Sequence, residues 1–155
     1  MLSRFALALV VALPLAACSS SPSLSSDPFD PVAVRAGVQA TLDAQIGAWN
    51  EGSIRGFMDG YANSDTLVFL SGNNERRGWE ESYYAYVRGY PDREAMGTLT
   101  FENIEVRPLS ALHALAFGRW RLSYDDRDGA TGLFSLLLQN TADGWRVIHD
   151  HTSAE

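Results

Sequence analysis

The last third of the chain contains three strand-like runs separated by two Asp-Gly pairs. The runs cover 114–124, 132–140 and 145–152, and the turns are Asp128-Gly129 and Asp143-Gly144. An Asp-Gly pair between such runs is a strong β-hairpin signal, because glycine readily takes the positive φ that tight hairpins require. Another strand is predicted at 98–107, just before Pro108. These runs predict an antiparallel meander.

The residues before the meander follow helical periodicity. One apolar face is formed by Val34, Val38, Leu42, Ile46 and Trp49, and this first helix should end near 50–52. Ser53 is predicted to cap a short second helix, 66–70 to form a strand, and Trp79 to open a third helix that ends before Pro91. The order predicts an α+β fold: N-terminal helices packed in the concave face of a curved antiparallel sheet, a cone-shaped roll.

The N-terminus has the pattern of an export signal. Arg4 is followed by an apolar run at 5–15, which is too short to span a bilayer. Residues 15–18, Leu-Ala-Ala-Cys, resemble the bacterial lipobox, which implies cleavage before Cys18 and lipid attachment to its sulfur. We therefore expect a signal peptide at 1–17, a Ser/Pro-rich tether at 18–31 and a folded domain at 32–155. The expected location is the outer membrane of a bacterial envelope, facing the periplasm.

Composition excludes several classes of function. The 155-residue chain has a net charge of −7, and its twelve basic residues are all arginine. An acidic chain of this kind does not fit a nucleic-acid binder, which carries a basic face. A single cysteine excludes a disulfide framework and a Cys-rich zinc site. No dinucleotide or flavin motif is present, so any chemistry is predicted to need no organic cofactor.

Several short motifs resemble the nuclear transport factor 2-like (NTF2-like) superfamily, also called SnoaL-like or ketosteroid-isomerase-like. They are Ala48-Trp49-Asn50-Glu51-Gly52, residues 57–61 (FMDGY), Arg77-Gly78-Trp79, residues 96–101 (MGTLTF), Gly118-Arg119-Trp120 and residues 144–153 (GWRVIHDHTS). The match is to a branch of small bacterial proteins of mostly unknown function, including lipoproteins. The resemblance implies a cystatin-like roll and a homodimer formed by back-to-back sheets. The superfamily contains isomerases, cyclases, dehydratases and non-catalytic modules.

The best chemical candidates lie in the last strand. Alternation places His149 and His151 on one face and Asp150 on the other. Asp150 lies among apolar residues, where burial would raise its pKa toward the range useful for a general base. The alternative is a salt bridge to an arginine such as Arg119 or Arg146. Two histidines could also share a metal, but the third histidine of the chain, His113, follows a predicted turn, so no metal ligands are assigned.

Aromatic residues are predicted to line the cone. The ligand-binding candidates are Trp49, Tyr61, Trp79, Tyr83, Tyr86, Arg119 and Trp120. An arginine inside the cone could hold a ligand carboxylate through two hydrogen bonds. The alternatives are that the aromatic stripe is core and that the arginine is solvated.

The predicted function is a lipid-anchored periplasmic domain that binds a small apolar or aromatic molecule. If the domain is also an enzyme, we expect acid/base chemistry of the isomerase, cyclase or hydration type. This chemistry would use Asp150 with His149 or His151. The alternatives are a non-catalytic homodimeric interaction module and, with less support, a histidine-based metal site. The expected partners are the small molecule, the membrane through Cys18 and a second copy of the chain, with no nucleic acid.

Overall fold

The computed structural model describes residues 29–155. The predicted signal peptide, Cys18 and the tether up to residue 28 lie outside the described residues. The first helix begins at Pro31, and Asp30 caps it by accepting a hydrogen bond from the Val32 amide at 2.8 Å. None of the described helices is both long and apolar enough to cross a membrane.

Within residues 29–155, four helices precede the meander. They are α1 (Pro31–Asn50), α2 (Ile54–Met58), α3 (Trp79–Gly89) and α4 (Arg93–Met96). The apolar face predicted for α1 is the buried face, and Ser53 caps α2 by accepting a hydrogen bond from the Gly56 amide at 3.0 Å. Helix α4 was not predicted, because four residues are too few to show a helical period.

The strands of the described part of the chain form one curved six-stranded sheet. They are β1 (Val68–Ser71), β2 (Asn74–Arg77), β3 (Thr98–Pro108), β4 (His113–Ser123), β5 (Ala130–Thr141) and β6 (Gly144–Thr152). Their order is β2-β1-β6-β5-β4-β3, so the predicted meander from β3 to β6 is present. The α+β roll is confirmed.

One pairing departs from the antiparallel pattern. Strand β1 runs parallel to β6, with Phe69 opposite Asp150. Hairpin signals could not indicate this pairing, because the two strands are far apart in the sequence. The pairing places the β1–β2 hairpin beside the closing strand, which brings β2 to one wall of the cone.

The core lies between the helices and the concave face of the sheet. Its buried side chains include Val38, Leu42 and Met58 from the helices and Leu138 and Val147 from the strands. The sheet bends at a register shift in β3 between Glu102 and Glu105. Bulges of this kind increase the curvature of a sheet, which opens space between the sheet and the helices.

Candidate functional site

A cavity of about 340 Å³ lies inside the cone, between the helices and the concave face of the sheet. This volume is at the lower end of the range of small-molecule sites. Most of its wall is aromatic or aliphatic. The lining aromatic residues are Trp49, Phe57, Tyr61, Phe69, Tyr86, Tyr90, Phe101, Trp120 and Phe134. The charged lining residues are Arg76 and Asp150.

A bulge in β6 aims Asp150 into this cavity. Val147 and His149 pair with consecutive residues of β5, so Ile148 is an extra residue in the ladder. Val147 is fully buried. Strict alternation from Val147 would turn Asp150 outward, but the extra residue reverses the alternation. Asp150 is therefore buried, with 4% of its surface exposed.

One oxygen of the Asp150 carboxyl accepts a hydrogen bond, and the other has no hydrogen-bond partner among the described residues. The Tyr61 hydroxyl donates a hydrogen bond to Oδ2 at 2.8 Å. Oδ1 is buried and has no hydrogen-bond partner within residues 29–155. Burial raises the pKa of Asp150 to about 7, although the Tyr61 hydrogen bond and the charge of Arg76 both oppose the rise. The carboxyl can therefore hold or release a proton near neutral pH.

The tyrosines beside Asp150 remain protonated. Burial, followed by the charge of Asp150, raises the pKa of Tyr61 well above its ordinary value. The same two causes raise the pKa of Tyr86, although the neighbouring Tyr61 hydroxyl works in the opposite direction. Both phenols therefore act as hydrogen-bonding groups rather than as phenolates at neutral pH.

Arg76 lies in the same row of the sheet as Asp150. Phe69 of β1 stands opposite Arg76 on one side and opposite Asp150 on the other. The guanidinium carbon of Arg76 lies 4.6 Å from the centre of the Phe69 ring. Its Nε is buried without a hydrogen-bond partner among the described residues. In the register of the sheet, the arginine and the carboxyl of the cavity are thus separated by one residue, Phe69.

The N–H groups of the two indoles that line the cavity donate hydrogen bonds to backbone carbonyls. Trp49 Nε1 donates to the Met96 carbonyl at 3.0 Å, and Trp120 Nε1 donates to the Ser153 carbonyl at 2.9 Å. Because these bonds satisfy the indole N–H groups, what the rings add to the wall is apolar surface. Edge-to-face packing of Trp49 on Phe57, with ring centres 5.1 Å apart, fixes the ring further.

The structure brings four of the predicted ligand-binding residues to the cavity and leaves three outside it. Those in the wall are Trp49, Tyr61, Tyr86 and Trp120. Trp79 and Tyr83 instead stack on each other with centres 5.1 Å apart, and Trp79 Nε1 donates to the Met58 carbonyl. Arg119 lies on the opposite face of the sheet from Trp120 and pairs with Glu155 at 2.9 Å. The indole, and not the arginine, takes the inward position.

The two histidines of β6 also lie outside the cavity. Their alternation with Asp150 is as predicted, and inward placement of Asp150 turns both away from it. His151 lines a hollow on the outer face of the sheet together with Arg119. The structure therefore does not bring His149 or His151 to the Asp150 carboxyl. Within the described part of the chain, no three His, Cys, Asp or Glu side chains are grouped to hold a metal.

Sequence reasoning missed Arg76 as well as several wall residues, including Gln45 and Phe69. Residues 75–78 fit either a short connection or a strand, so no facing direction for Arg76 follows from the sequence. The signal that could have found it is the Ser-Gly-Asn-Asn turn at 71–74. Reading that turn as a hairpin pairs Arg76 with Phe69 and places both side chains on one face.

Comparisons with solved structures place the fold among known ones. An NTF-2 like protein of unknown function from Shewanella oneidensis is 36% identical, with a TM-score of 0.73, over 77% of this chain and 98% of the other. A ketosteroid isomerase-like protein from Erwinia carotovora is 22% identical, with a TM-score of 0.61, over 77% and 94%.

A domain of unknown function with a cystatin-like fold from Nostoc punctiforme is 19% identical, with a TM-score of 0.67, over 81% of this chain and 80% of the other. At that identity, and at that of the Erwinia protein, the likeness shows the fold alone. No family model and no curated protein matches the chain.

Proposed function

The chain belongs to the NTF2-like superfamily, and on that premise we propose that its domain binds a small, largely apolar molecule in the cavity around Asp150. The fold by itself does not select a function, because this architecture serves many. The observation that carries the proposal is a buried carboxyl with an unbonded oxygen, Oδ1 of Asp150, in a cavity walled by aromatic rings. Apolar walls with a few convergent polar groups are the usual composition of a ligand site.

Proton transfer is the chemistry that this site supports. As a carboxylate, Asp150 can accept a proton from a carbon or oxygen of the bound molecule, and as an acid it can return that proton to another atom. The Tyr61 hydroxyl, bonded to Oδ2, holds the carboxyl in place while Oδ1 remains available. A net isomerisation of this kind needs no oxidant and no organic cofactor. The histidines of β6 have no part in this version of the mechanism.

A matched pair of variants on α3 tests the binding proposal. Ala85 lines the cavity, whereas Val87 lies on the exposed side of the same helix. We expect native mass spectrometry of residues 29–155, purified from a bacterial host, to show a small-molecule adduct. Ala85→Phe should remove the adduct, and Val87→Phe should retain it. An adduct that both variants retain would show that the molecule binds elsewhere.

We propose further that the domain is anchored in the bacterial outer membrane, facing the periplasm. The support is the lipobox-like sequence that ends at Cys18 and the Ser/Pro-rich segment between Cys18 and α1. Expression of the full chain with radiolabelled palmitate should label the protein in the membrane fraction. Cys18→Ser should abolish the label. A labelled Cys18→Ser variant, or an unlabelled wild type, would contradict the anchor.

A second candidate function, homodimerisation through the outer face of the sheet, is favoured by one observation. Leu133 is 52% exposed on that face, beside a hollow that Phe117 also lines. A second copy would bury this apolar surface. Sedimentation should give a dimer that Leu133→Asp dissociates without loss of the ligand. A monomeric wild type would exclude this function.

A further inference from the structure

The two charged groups of the cavity do not neutralise each other by direct contact. Arg76 and Asp150 are each one strand away from Phe69, and no ion pair within 4.0 Å joins them in residues 29–155. Neighbouring strands are about 4.8 Å apart, so the two backbones are about 10 Å apart. Phe69 is the residue between them in the sheet, and its ring lies against the Arg76 guanidinium.

The neighbouring arginine on the same strand, Arg77, differs from Arg76 in having an ion-pair partner in the described part of the chain. Arg77 faces the other way and pairs with Glu75 at 2.6 Å, with both side chains exposed. Arg76 lies beside the same glutamate in the sequence, but it points into the cone with a buried, unpartnered Nε. A buried donor without a partner is costly unless a ligand accepts its hydrogen bond.

We propose that the ligand of this cavity is an apolar or aromatic monocarboxylic acid whose carboxylate binds Arg76. The proposal rests on the proposed function and specifies the substrate class. A planar guanidinium binds a carboxylate through two parallel hydrogen bonds, and the Arg76 guanidinium carbon lies over the Phe69 ring, 4.6 Å from its centre. The aromatic wall takes the apolar body of the acid.

The charge of the site limits the ligand to one anionic group. Among residues 29–155, Arg76 is the only cationic residue that lines the cavity, and the other charged residue is Asp150. A dicarboxylate or a phosphate would bring a second negative charge with no counterion. The cavity of about 340 Å³ fits a ring with a short carboxylate chain.

Proton uptake by Asp150 should accompany binding. The titratable groups that line the cavity are Arg76 from β2, Tyr61 after α2, and Tyr86 and Tyr90 from the α3 region. The tyrosines stay neutral, so the protonation of Asp150 determines whether the bound carboxylate meets a second negative charge. Protonated Asp150 can also donate a hydrogen bond to the ligand.

The test compares a carboxylate with its amide. Calorimetric titration of residues 29–155 with 3-phenylpropanoate and 3-phenylpropanamide should show the acid binding at least about tenfold tighter, because hydrogen bonds to charged groups are stronger. Arg76→Gln should weaken acid binding about tenfold to a hundredfold and leave amide binding unchanged. Arg76→Lys should retain part of the preference, and Arg77→Gln, the matched control, all of it.

Raising the pH from about 6 to about 8 should weaken acid binding about tenfold in wild type, since Asp150 loses its proton over that interval. Asp150→Asn should remove this pH dependence. If wild type bound the acid and the amide with equal affinity, and Arg76→Gln changed neither affinity, the carboxylate proposal would be overturned. The proposed binding function would not be affected by that result. If neither probe binds, the carboxylate proposal fails, and the absence of any adduct in native mass spectrometry would remove the proposed function as well.

Discussion

Replacing Asp150 with asparagine should stabilise the folded domain at neutral and alkaline pH. In the folded protein burial raises the pKa of Asp150 from its ordinary value of 3.8 to about 7. Between these values the folded state binds a proton that the unfolded state has released. The free energy of unfolding therefore falls as the pH rises from about 4 to about 7, and this contribution is constant above that range. The pKa difference corresponds to about 4 kcal/mol.

Asparagine has the same shape and keeps an oxygen for the Tyr61 hydroxyl, but it does not ionise. Urea unfolding of wild type and Asp150→Asn, followed by tryptophan fluorescence, should give similar stabilities near pH 4. Near pH 8 the variant should be more stable by up to about 4 kcal/mol. Asp143→Asn, in an exposed turn, is the control: the same substitution outside the cavity should leave the free energy of unfolding within about 0.5 kcal/mol of wild type.

The opposite trend would refute this reasoning. If wild type gained stability relative to Asp150→Asn as the pH rises, the folded state would favour the carboxylate, and its pKa would lie below 3.8. The expected trend would support a functional role instead. Stabilising substitutions are easy to find in natural proteins, and asparagine at position 150 would be one of them. A buried carboxyl that is kept although it destabilises the fold at neutral pH therefore indicates a functional site.

Three further predictions concern the frame around the site. Leu42→Ala removes a fully buried side chain and should cost about 2–5 kcal/mol in urea unfolding; a loss below about 1 kcal/mol would contradict its place in the core. Gly132→Ala would bring a Cβ against the Ser153 carbonyl oxygen and should cost about 1–3 kcal/mol, visible as a lower Tm; an unchanged Tm would contradict the contact. Alkaline titration by ultraviolet absorbance should show that Tyr61 and Tyr86 ionise only as the domain unfolds. Their raised pKa values make the free energy of unfolding fall as the pH rises above about 10. If Tyr61→Phe instead reduced the number of tyrosines that ionise before unfolding, this prediction would be contradicted.

Local signals in the sequence predict most of the fold. Apolar spacing in α1 and the Asp-Gly turns of the meander depend on residues close in the chain, where geometry follows directly from the pattern. Helix α4 is too short for such a pattern. The parallel pairing of β1 with β6 joins segments far apart in the sequence, so no local pattern indicates it.

The site was predicted less completely than the fold, for two physical reasons. Aromatic residues such as Trp49 and Trp120 could be proposed because large apolar side chains must be buried somewhere. Trp79 and Arg119 show the limit of that argument. Trp79 is buried, but burial alone does not indicate whether a ring lines the cavity or packs elsewhere in the core. Arg119 lies on the outer face of the sheet, because alternation in β4 gives the inward position to Trp120. Asp150 was identified from its apolar neighbours, but its direction depends on a bulge at Ile148 that alternation alone would not reveal.

The charged groups of the cavity depend on the least regular parts of the sheet. Asp150 faces inward because of the bulge in β6, and Arg76 reaches the cavity because the β1–β2 hairpin joins β6 in parallel. Neither side chain belongs to the hydrophobic core that packs the helices against the meander. The fold can therefore be retained while the chemistry of the cavity changes through one or two substitutions. For this reason the pair Arg76 and Asp150, rather than the architecture, should be compared when a function is transferred between relatives of this chain.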